Sequence, residues 1–248
     1  MGEPSATVDY YNQYQFDDLL ARENDLYANT KYEIILGYLA GTRGLRILNV
    51  GCGSGELSFM LAAAGHRVFG IDPAAEYIDV ARRKAERLPH LRCEFAVSTI
   101  EDFQSDSRYD CVIATDVLEH ILHDDLAFTA MVRLIDPGGL VILTIPAGQW
   151  LFGYHDESLG HFRRYSLRDV RMLVRAHCRV DRLRYFGFSL IPVCLLYSRL
   201  LRKPYPVAAV GDKAQNPLVA RATRLLLQLD KRVSAPLGTS VIFKGTRL

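Results

Sequence analysis

Short apolar runs alternate with amphipathic segments along most of the chain. The runs have the length and the β-branched or aromatic content of strands, whereas the segments between them repeat their apolar residues at helical spacing. The predicted strands are 46–50, 66–71, 91–97, 109–114, 140–145, 180–188 and 240–244. The predicted helices are 56–64, 74–88, 126–135, one after Ser166 and one from 217 to 232. This alternation predicts an α/β, doubly wound, mainly parallel seven-stranded sheet with helices on both faces.

Two of the later helices carry start signals. Ser166 can cap the first of them, with Asp169 at the capping-box offset. Asn216 and Pro217 fit the cap and the first position of the last helix. The pattern of this last helix is amphipathic. Its one apolar stripe consists of Leu218, Ala222, Leu225, Leu226 and Leu229.

Composition restricts the class of protein. Of 248 residues, 49% are hydrophobic, and 30 Lys+Arg against 28 Asp+Glu leave a net charge of +2. A charge this small argues against general binding to polyanions such as nucleic acids. The 5 cysteines are scattered without a CxxC pair, so we expect neither disulfides nor a zinc site. The N-terminus lacks the basic and apolar regions of a signal peptide, which predicts a cytoplasmic protein.

A glycine-rich turn after the first strand indicates a ligand site. Gly51, Gly53 and Gly55 lie at the start of a predicted helix, where backbone N–H groups are open to a ligand. In dinucleotide-binding proteins a third small residue would stand where this chain has Glu56, whose carboxylate would repel a pyrophosphate. We therefore expect a ligand with a cationic group and no phosphate.

An acidic residue follows the second strand. Asp72 lies 21 residues after Gly51, at the position where a carboxylate accepts hydrogen bonds from both hydroxyls of a ribose. The alternative is a helix cap, since Asp72-Pro73 also begins a helix.

Four segments together resemble the class I S-adenosylmethionine-dependent methyltransferases. ILNVGCGSGELS (47–58), VFGIDP (68–73) and YDCVIATDVLEHI (109–121) resemble the family's motif I, acidic loop and motif IV, and DPGGLVILTIP (136–146) resembles its fifth-strand region. The sequence Leu118-Glu119-His120 is similar to that of the small-molecule branch containing ubiquinone-type O-methyltransferases. HDESLGHFRRYS (155–166) resembles bacterial enzymes associated with glycan or lipid-linked substrates.

The resemblance implies a Rossmann-like methyltransferase fold, S-adenosylmethionine as cofactor and S-adenosylhomocysteine as product. It implies cofactor contacts at Gly51, Cys52, Gly53, Glu56, Asp72, Pro73, Ser98, Thr99, Ile100, Ala114 and Thr115. The family's common Gly-Asp is absent after the third strand, so backbone contacts are expected to hold the adenine there. Lys31 or Tyr32 is expected to reach the methionine carboxylate.

The division of the chain follows from the motifs. We expect a single domain, 1–248, with N-terminal cap helices in 1–44 and a cofactor-binding core in 45–147. The remaining part, 148–248, would hold a lid, the substrate-determining segment and the closing strands. The connection 146–165 is longer than an ordinary loop between a strand and a helix, which favours a lid.

Methyl transfer needs in-line alignment and, for a hydroxyl acceptor, a general base. The candidates are His155, His120 and His161, with Asp156 next to His155 as an orienting carboxylate. His120 could instead be structural, and His155-Asp156 a solvated pair. The spacing of the lid histidines fits no standard metal motif, so no metal is expected.

Five residues of the lid are candidates for the acceptor site. Arg163 and Arg164 could clamp an oxyanion or pair with Asp156 and Glu157 to fix the lid. The full set of substrate-binding candidates is Trp150, Tyr154, Arg163, Arg164 and Tyr165. Tyr10, Tyr11 and Tyr14 could complete a cap over the cofactor or belong to a frayed terminus.

The segment 185–203 is apolar and then basic. It could be core, a dimer or lid surface, or a patch that contacts a membrane or a lipid. Its apolar part, which contains Gly187 and Pro192, is too short to span a bilayer.

The expected function is methyl transfer to an oxygen of a small-molecule acceptor, with nitrogen as the second choice of acceptor atom. A specialised metabolite or a saccharide or lipid-linked compound would fit. An RNA or protein methyltransferase is the first alternative, disfavoured by the charge and by Ala114-Thr115-Asp116-Val117 in place of an Asn/Asp-Pro-Pro-Tyr motif. A non-catalytic cofactor-binding protein with this fold is the second.

Overall fold

The alternating apolar runs form one seven-stranded sheet in the computed structural model, which describes residues 25–203, 205 and 217–248. Tyr10, Tyr11, Tyr14 and Asn216 lie outside the described residues. The strands are β1 Arg46–Val50, β2 Arg67–Asp72, β3 Cys93–Val97, β4 Tyr109–Thr115, β5 Ile135–Pro146, β6 Cys178–Phe186 and β7 Ser240–Arg247. Their order is β3-β2-β1-β4-β5-β7-β6, and β7 alone runs antiparallel to its neighbours. The predicted fold class is confirmed.

Eight described helices connect these strands. They are α1 Leu26–Tyr38, α2 Glu56–Ala63, α3 Ala75–Glu86, α4 Asp124–Arg133, α5 Tyr154–Ser158, α6 Leu167–Val174, α7 Ile191–Cys194 and α8 Pro217–Arg232. Short turns of 3-10 helix occupy Leu118–His120, Gln149–Leu151 and Phe188–Leu190, and α7 continues as a π-helix over Leu195–Leu201. Ser166 and Asp169 form the predicted capping box of α6, in which each side chain accepts a hydrogen bond from the other's backbone N–H.

Alternate residues of the strands serve two separate cores. Leu48 and Val50 of β1 face one core, shared with Phe128 of α4, whereas Ile47 faces the other, shared with Leu61 of α2. Because successive side chains of a strand point to opposite faces, both faces of the sheet are covered.

Strand β5 begins five residues before the predicted strand, at Ile135 rather than residue 140. Helix α4 ends at Arg133, before Pro137-Gly138-Gly139. The pairing shifts register between Tyr109–Ile135 and Cys111–Leu140, and the extra residues of β5 bulge out of the ladder.

The apolar stripe of helix α8 was expected to pack against the protein, but the opposite face of the helix does so. Leu227 is fully buried and packs in a cluster with Ile34 and Phe186, while Leu225 is 63% exposed. The stripe residues exposed to solvent are Leu218, Ala222, Leu225, Leu226 and Leu229. An amphipathic helix usually buries its apolar stripe, and here Leu227 lies outside that stripe.

The segment 185–203 is divided between the core and the surface. Phe186 and Cys194 are buried, whereas Leu195, Leu196 and Leu200 are exposed. None of the helices in the described part of the chain has the length and apolarity to cross a membrane.

Candidate active site

A cavity of about 1020 Å³ opens at the carboxyl ends of the parallel strands. Its walls come from the glycine-rich loop after β1, the loops after β2, β3 and β4, helix α1 and the segment 155–164. In open α/β sheets ligands bind at this edge, and the volume is at the upper end of the range for small-molecule sites.

The glycine-rich loop approaches the loop after β4 more closely than a side chain would allow. Gly51 has φ +65°, and a Cβ at this position would lie 2.4 Å from Cγ2 of Val117. Gly53 has φ +52°, in the left-handed region that favours glycine. The loop therefore presents backbone, rather than side chains, to the cavity.

Asp72 links the glycine-rich loop to the start of α3. Its Oδ2 accepts a hydrogen bond of 2.9 Å from the N–H of Gly53, and its Oδ1 accepts one of 3.0 Å from the N–H of Ala74. Burial raises the pKa of the carboxyl group, although both hydrogen bonds oppose this. Since each carboxylate oxygen has a second lone pair and Asp72 lines the cavity, capping and ligand binding are compatible.

Glu56 is not the free carboxylate that the sequence argument assumed. It forms an ion pair of 2.7 Å with Lys84 and accepts a hydrogen bond of 2.9 Å from the hydroxyl of Ser54. Its repulsion of a phosphate is therefore weaker than expected, because the positive charge of Lys84 offsets the negative charge of the carboxylate. The two residues are 28 positions apart in sequence, so the sequence argument did not pair them.

Most of the predicted cofactor residues line the cavity: Gly51, Cys52, Gly53, Glu56, Asp72, Pro73, Ser98, Thr99, Ile100 and Thr115. Ala114 does not, because its side chain faces the core that β4 shares with α4. Alternation along β4 brings Thr115, the next residue, to the cavity instead.

Helix α1 contributes a buried cation to the cavity. Lys31, which is 3% exposed, forms an ion pair with Asp116 in the loop after β4. Asp116 has φ +54°, a rare conformation outside glycine, and its Oδ1 accepts a hydrogen bond of 3.3 Å from the hydroxyl of Thr144. Tyr32, the other predicted residue of this helix, also lines the cavity. Asp116 was not predicted as a site residue, although it lies inside the motif IV segment.

Glu119 is a second acidic residue that sequence reasoning missed. It is fully buried, and among the described residues neither of its carboxyl oxygens finds a hydrogen-bond partner. Burial, followed by the nearby Asp116, raises the pKa of Glu119 well above its usual value. Side-chain atoms of Glu119, His120 and His161 lie within 4.8 Å of one another.

The two ends of segment 146–165 are hydrogen-bonded to each other, and Phe162 near its end is bonded to the turn after β4. The N–H of Tyr165 donates to the carbonyl of Pro146 at 2.8 Å, and the N–H of Gly148 donates to the carbonyl of Tyr165 at 2.9 Å. The N–H of Phe162 donates to the carbonyl of Glu119 at 2.8 Å.

Asp156 is the buried centre of this segment, and its partner is His161 rather than the adjacent His155. Its Oδ1 accepts hydrogen bonds from Nδ1 of His161 at 2.9 Å and from Nε of Arg164 at 2.7 Å. Burial tends to raise the pKa of Asp156, but the hydrogen bond from His161 and the charge of Arg164 outweigh it and lower the pKa. His155, His120 and His161 all line the cavity.

Four of the five substrate-binding candidates are absent from the described lining of the cavity. Trp150 and Tyr154 are 44% and 39% exposed on the outside. Arg163 forms an ion pair of 2.8 Å with Asp124, and the hydroxyl of Tyr165 donates to the same residue at 2.7 Å. These two side chains therefore hold the segment to α4 and do not reach the cavity.

Arg164 lines the cavity, but each of its three nitrogens donates to a group within the protein. Besides Asp156, it donates to the carbonyl of Ala147 at 3.3 Å and to the hydroxyl of Tyr205 at 3.0 Å. The alternative in which Arg164 pairs with Asp156 and fixes the lid matches this geometry, whereas an oxyanion clamp does not.

Known proteins resemble this chain in both sequence and fold. Residues 47–139 match the family model described as a methyltransferase domain. The ubiquinone biosynthesis O-methyltransferase of Methylocella silvestris is 34% identical over 151 residues, which are 56% of this chain and 58% of the relative. The corresponding Nitrobacter winogradskyi protein is 33% identical over 107 residues, 43% of this chain and 41% of the relative. The chain thus spans about half the length of the curated relatives it matches.

Solved structures resemble the whole described fold. Magnesium protoporphyrin IX methyltransferase from Synechocystis with bound S-adenosylhomocysteine has a TM-score of 0.65 and 17% identity, covering 97% of each chain. The N-methyltransferase NodS from Bradyrhizobium japonicum has a TM-score of 0.58 and 14% identity, covering 89% of this chain and 87% of NodS. Both structures share the predicted fold with this chain.

Proposed function

We propose that the protein transfers a methyl group from S-adenosylmethionine to an oxygen of a small, uncharged acceptor, since residues 47–139 match the model of a methyltransferase domain and resemble an O-methyltransferase. The observation that carries this proposal is the cavity at the carboxyl edge of the sheet, which Asp72, the glycine-rich loop and His161 all line. The bound cofactor would supply an electrophilic methyl group. The chain itself would bind the cofactor and the acceptor, align them and deprotonate the acceptor.

The residues present fit this cofactor. Asp72 retains lone pairs for the ribose hydroxyls, and Gly51 and Gly53 let the ligand approach the backbone. Ser98, Thr99 and Ile100 line the part of the cavity after β3, where we assign the adenine. Lys31 is within the cavity, and we assign it to the methionine carboxylate, to be shared with Asp116.

The pairing of the cavity's cationic side chains disfavours an anionic acceptor. Among the described residues that line it, the Lys and Arg side chains are Lys31 and Arg164, and both are ion-paired with aspartates. The wall near His161 includes Ile121, Leu159 and Val193, which suit an apolar or aromatic acceptor. We favour oxygen over nitrogen because the two curated relatives described above are named O-methyltransferases.

Calorimetric titration with S-adenosylmethionine tests the proposal. We expect the wild-type protein to bind and Asp72→Ala to bind at least tenfold more weakly, while Asp79→Ala on the exposed face of α3 should bind like wild type. Transfer of a radiolabelled methyl group to phenol, catechol and 1-octanol then tests the acceptor class. Absence of binding by wild type, or equal binding by Asp72→Ala, would refute the cofactor site. Methylation of RNA or protein, but of none of these alcohols, would favour the alternative acceptors.

A second proposal concerns segment 185–203. We propose that it binds an anionic membrane surface and not a second copy of the chain. Its exposed Leu195, Leu196 and Leu200 lie close in sequence to exposed Arg199, Arg202 and Lys203. Apolar side chains beside basic ones are typical of helices that lie on anionic lipid. Cosedimentation with phosphatidylglycerol vesicles should exceed that with phosphatidylcholine vesicles and fall in Leu196→Glu. Analytical ultracentrifugation showing a dimer that Leu196→Glu dissociates would favour the other surface. The cytoplasmic location remains a prediction.

A further inference from the structure

We propose that His161 is the general base of this methyltransferase and that Asp156 is the residue that positions it. This assignment rests on the proposed function. It names a base–carboxylate pair different from the adjacent His155-Asp156 pair that the sequence suggested.

The hydrogen-bond partner of His161 determines its tautomer. Asp156, whose Oδ1 lies 2.9 Å from Nδ1 of His161, carries a lowered pKa and is an ionised acceptor. An ionised carboxylate can only accept, so Nδ1 of His161 carries a hydrogen. In the neutral ring Nε2 then has the lone pair. Within the part of the chain that the structure describes, Nε2 has no hydrogen-bond partner, and the residue lines the cavity.

His155 has the opposite arrangement. Its Nδ1 accepts a hydrogen bond of 3.3 Å from the backbone N–H of Tyr205, and the two rings stack at 3.8 Å. A backbone N–H can only donate, so the lone pair of His155 lies on Nδ1 and its hydrogen on Nε2. Its lone pair is therefore used within the protein, and this imidazole is a poor candidate for the base.

Asp156 is held so that it can orient His161 in turn. Arg164 donates to the same oxygen at 2.7 Å, the N–H of Gly153 donates to Oδ2 at 3.1 Å, and the N–H of His161 donates to the backbone carbonyl of Asp156 at 2.9 Å. These contacts hold the carboxylate of Asp156 in place, and the carboxylate in turn orients the ring of His161. Such an arrangement of base and orienting carboxylate recurs in enzymes that deprotonate a hydroxyl.

The other titratable groups around His161 are compatible with this role. The ring of His120 meets that of His161 edge-on, with 4.6 Å between the centroids. Glu119 lies beside both, and burial favours its uncharged form. The positive charge that His161 acquires would be stabilised by Asp156, whose Oδ1 also pairs with Arg164.

The step balances as one proton transfer and one methyl transfer. Nε2 of His161 takes the hydroxyl proton of the acceptor, and the oxygen's electron pair forms the new bond to the methyl carbon. The bond between that carbon and sulfur breaks, its electron pair stays on sulfur, and S-adenosylhomocysteine leaves. The proton on His161 then passes to water.

Two measurements test the assignment. Long-range ¹H–¹⁵N correlation of the imidazoles should find His161 with its hydrogen on Nδ1 and His155 with its hydrogen on Nε2, in the holoprotein and without any acceptor. With an alcohol that wild type methylates, His161→Gln should lower kcat about 100-fold or more, the usual contribution of a general base. Asp156→Asn should lower kcat by a smaller factor and change the pH profile, while KM for S-adenosylmethionine changes less than twofold. His90→Gln, at an exposed site away from the cavity, is the matched control.

Several outcomes would overturn the assignment. A hydrogen on Nε2 of His161 in the wild-type spectrum would do so even if Asp156→Asn does not fold, as would wild-type kcat in His161→Gln. Activity that is lost with EDTA and restored by a divalent cation would assign the cluster of Glu119, His120 and His161 to a metal instead. Failure of wild type to bind S-adenosylmethionine would refute the proposed function, and the tautomer measurement would still report on the pair.

Discussion

Lys31 of α1 and Asp116 after β4, 85 residues apart in sequence, form an ion pair inside the cavity. Lys31→Met would leave a partly exposed carboxylate without its partner, and we expect a loss of about 1–3 kcal/mol in the free energy of unfolding. Urea denaturation measures this loss. In the double mutant Lys31→Met/Asp116→Asn the loss should be smaller than the sum of the two single losses.

A second lysine provides the comparison for that experiment. Lys231 pairs with Glu33 at 2.9 Å, but both side chains are about a third or more exposed. Lys231→Met should therefore cost less than about 1 kcal/mol. Equal losses at positions 31 and 231 would contradict a special role for the buried pair.

The buried Glu119 predicts a pH dependence of stability. Its pKa is raised in the folded state, so the folded protein binds a proton that the unfolded chain releases. Its contribution is fully present below the unfolded pKa and is lost as pH rises toward the folded pKa. Glu119→Gln keeps the shape of the protonated acid without ionising. Its free energy of unfolding should therefore fall less than that of wild type between pH 5 and pH 8.

Urea denaturation at several pH values, without cofactor, measures this difference. Asp102→Asn, at an exposed site on the chain, controls for the loss of a carboxyl group. Parallel curves for wild type and Glu119→Gln would show that Glu119 is ionised in the folded protein.

Helix α8 offers two leucines, two positions apart, for a direct test of its orientation. Leu227→Ala removes a fully buried side chain and should cost about 2–5 kcal/mol in the free energy of unfolding. Leu225→Ala, at a 63% exposed site, should change it by about 0.5 kcal/mol or less. The reverse order would mean that the stripe of leucines packs against the protein after all.

The glycine-rich loop can be tested by a single methyl group. Gly51→Ala places a Cβ 2.4 Å from Val117 Cγ2, so the loop must shift and the affinity for S-adenosylmethionine should fall at least tenfold. Gly138→Ala has a similar positive φ, +77°, but meets nothing within 4 Å. It should show only the conformational cost and bind the cofactor like wild type. Calorimetry and thermal denaturation separate the two effects, and equal affinities would argue against a close approach at Gly51.

Local patterns predicted the sheet because strand and helix periods are properties of neighbouring residues. The same reasoning identified the Ser166–Asp169 capping box and the segments that line the cavity. It did not identify the partner of Asp156, because adjacency in sequence suggested His155. On a helix, adjacent residues point about 100° apart, and the fold brings His161 round to the carboxylate instead. Glu56–Lys84 and Lys31–Asp116 were missed for a related reason, since such pairs join separate helices and loops.

The leucine stripe of α8 shows a different limit. Periodicity indicated an amphipathic helix, and a helix spans Pro217–Arg232. Which face is buried depends on the neighbours that the helix meets, here α1 and the turn at Phe188–Leu190, where Ser189 donates to Asp230 at 2.7 Å. A pattern within one helix does not contain that information.

The antiparallel strand β7 has a consequence for the order of folding during synthesis. Strand β6 pairs only with β7 within the described sheet, and β7 alone joins it to β5. The five strands β1 to β5 can therefore pair with one another on the ribosome before β6 has a hydrogen-bonded neighbour. The sheet is completed only once residues 240–247 have left the exit tunnel, so a nascent chain exposes the edges of β5 and β6 until then.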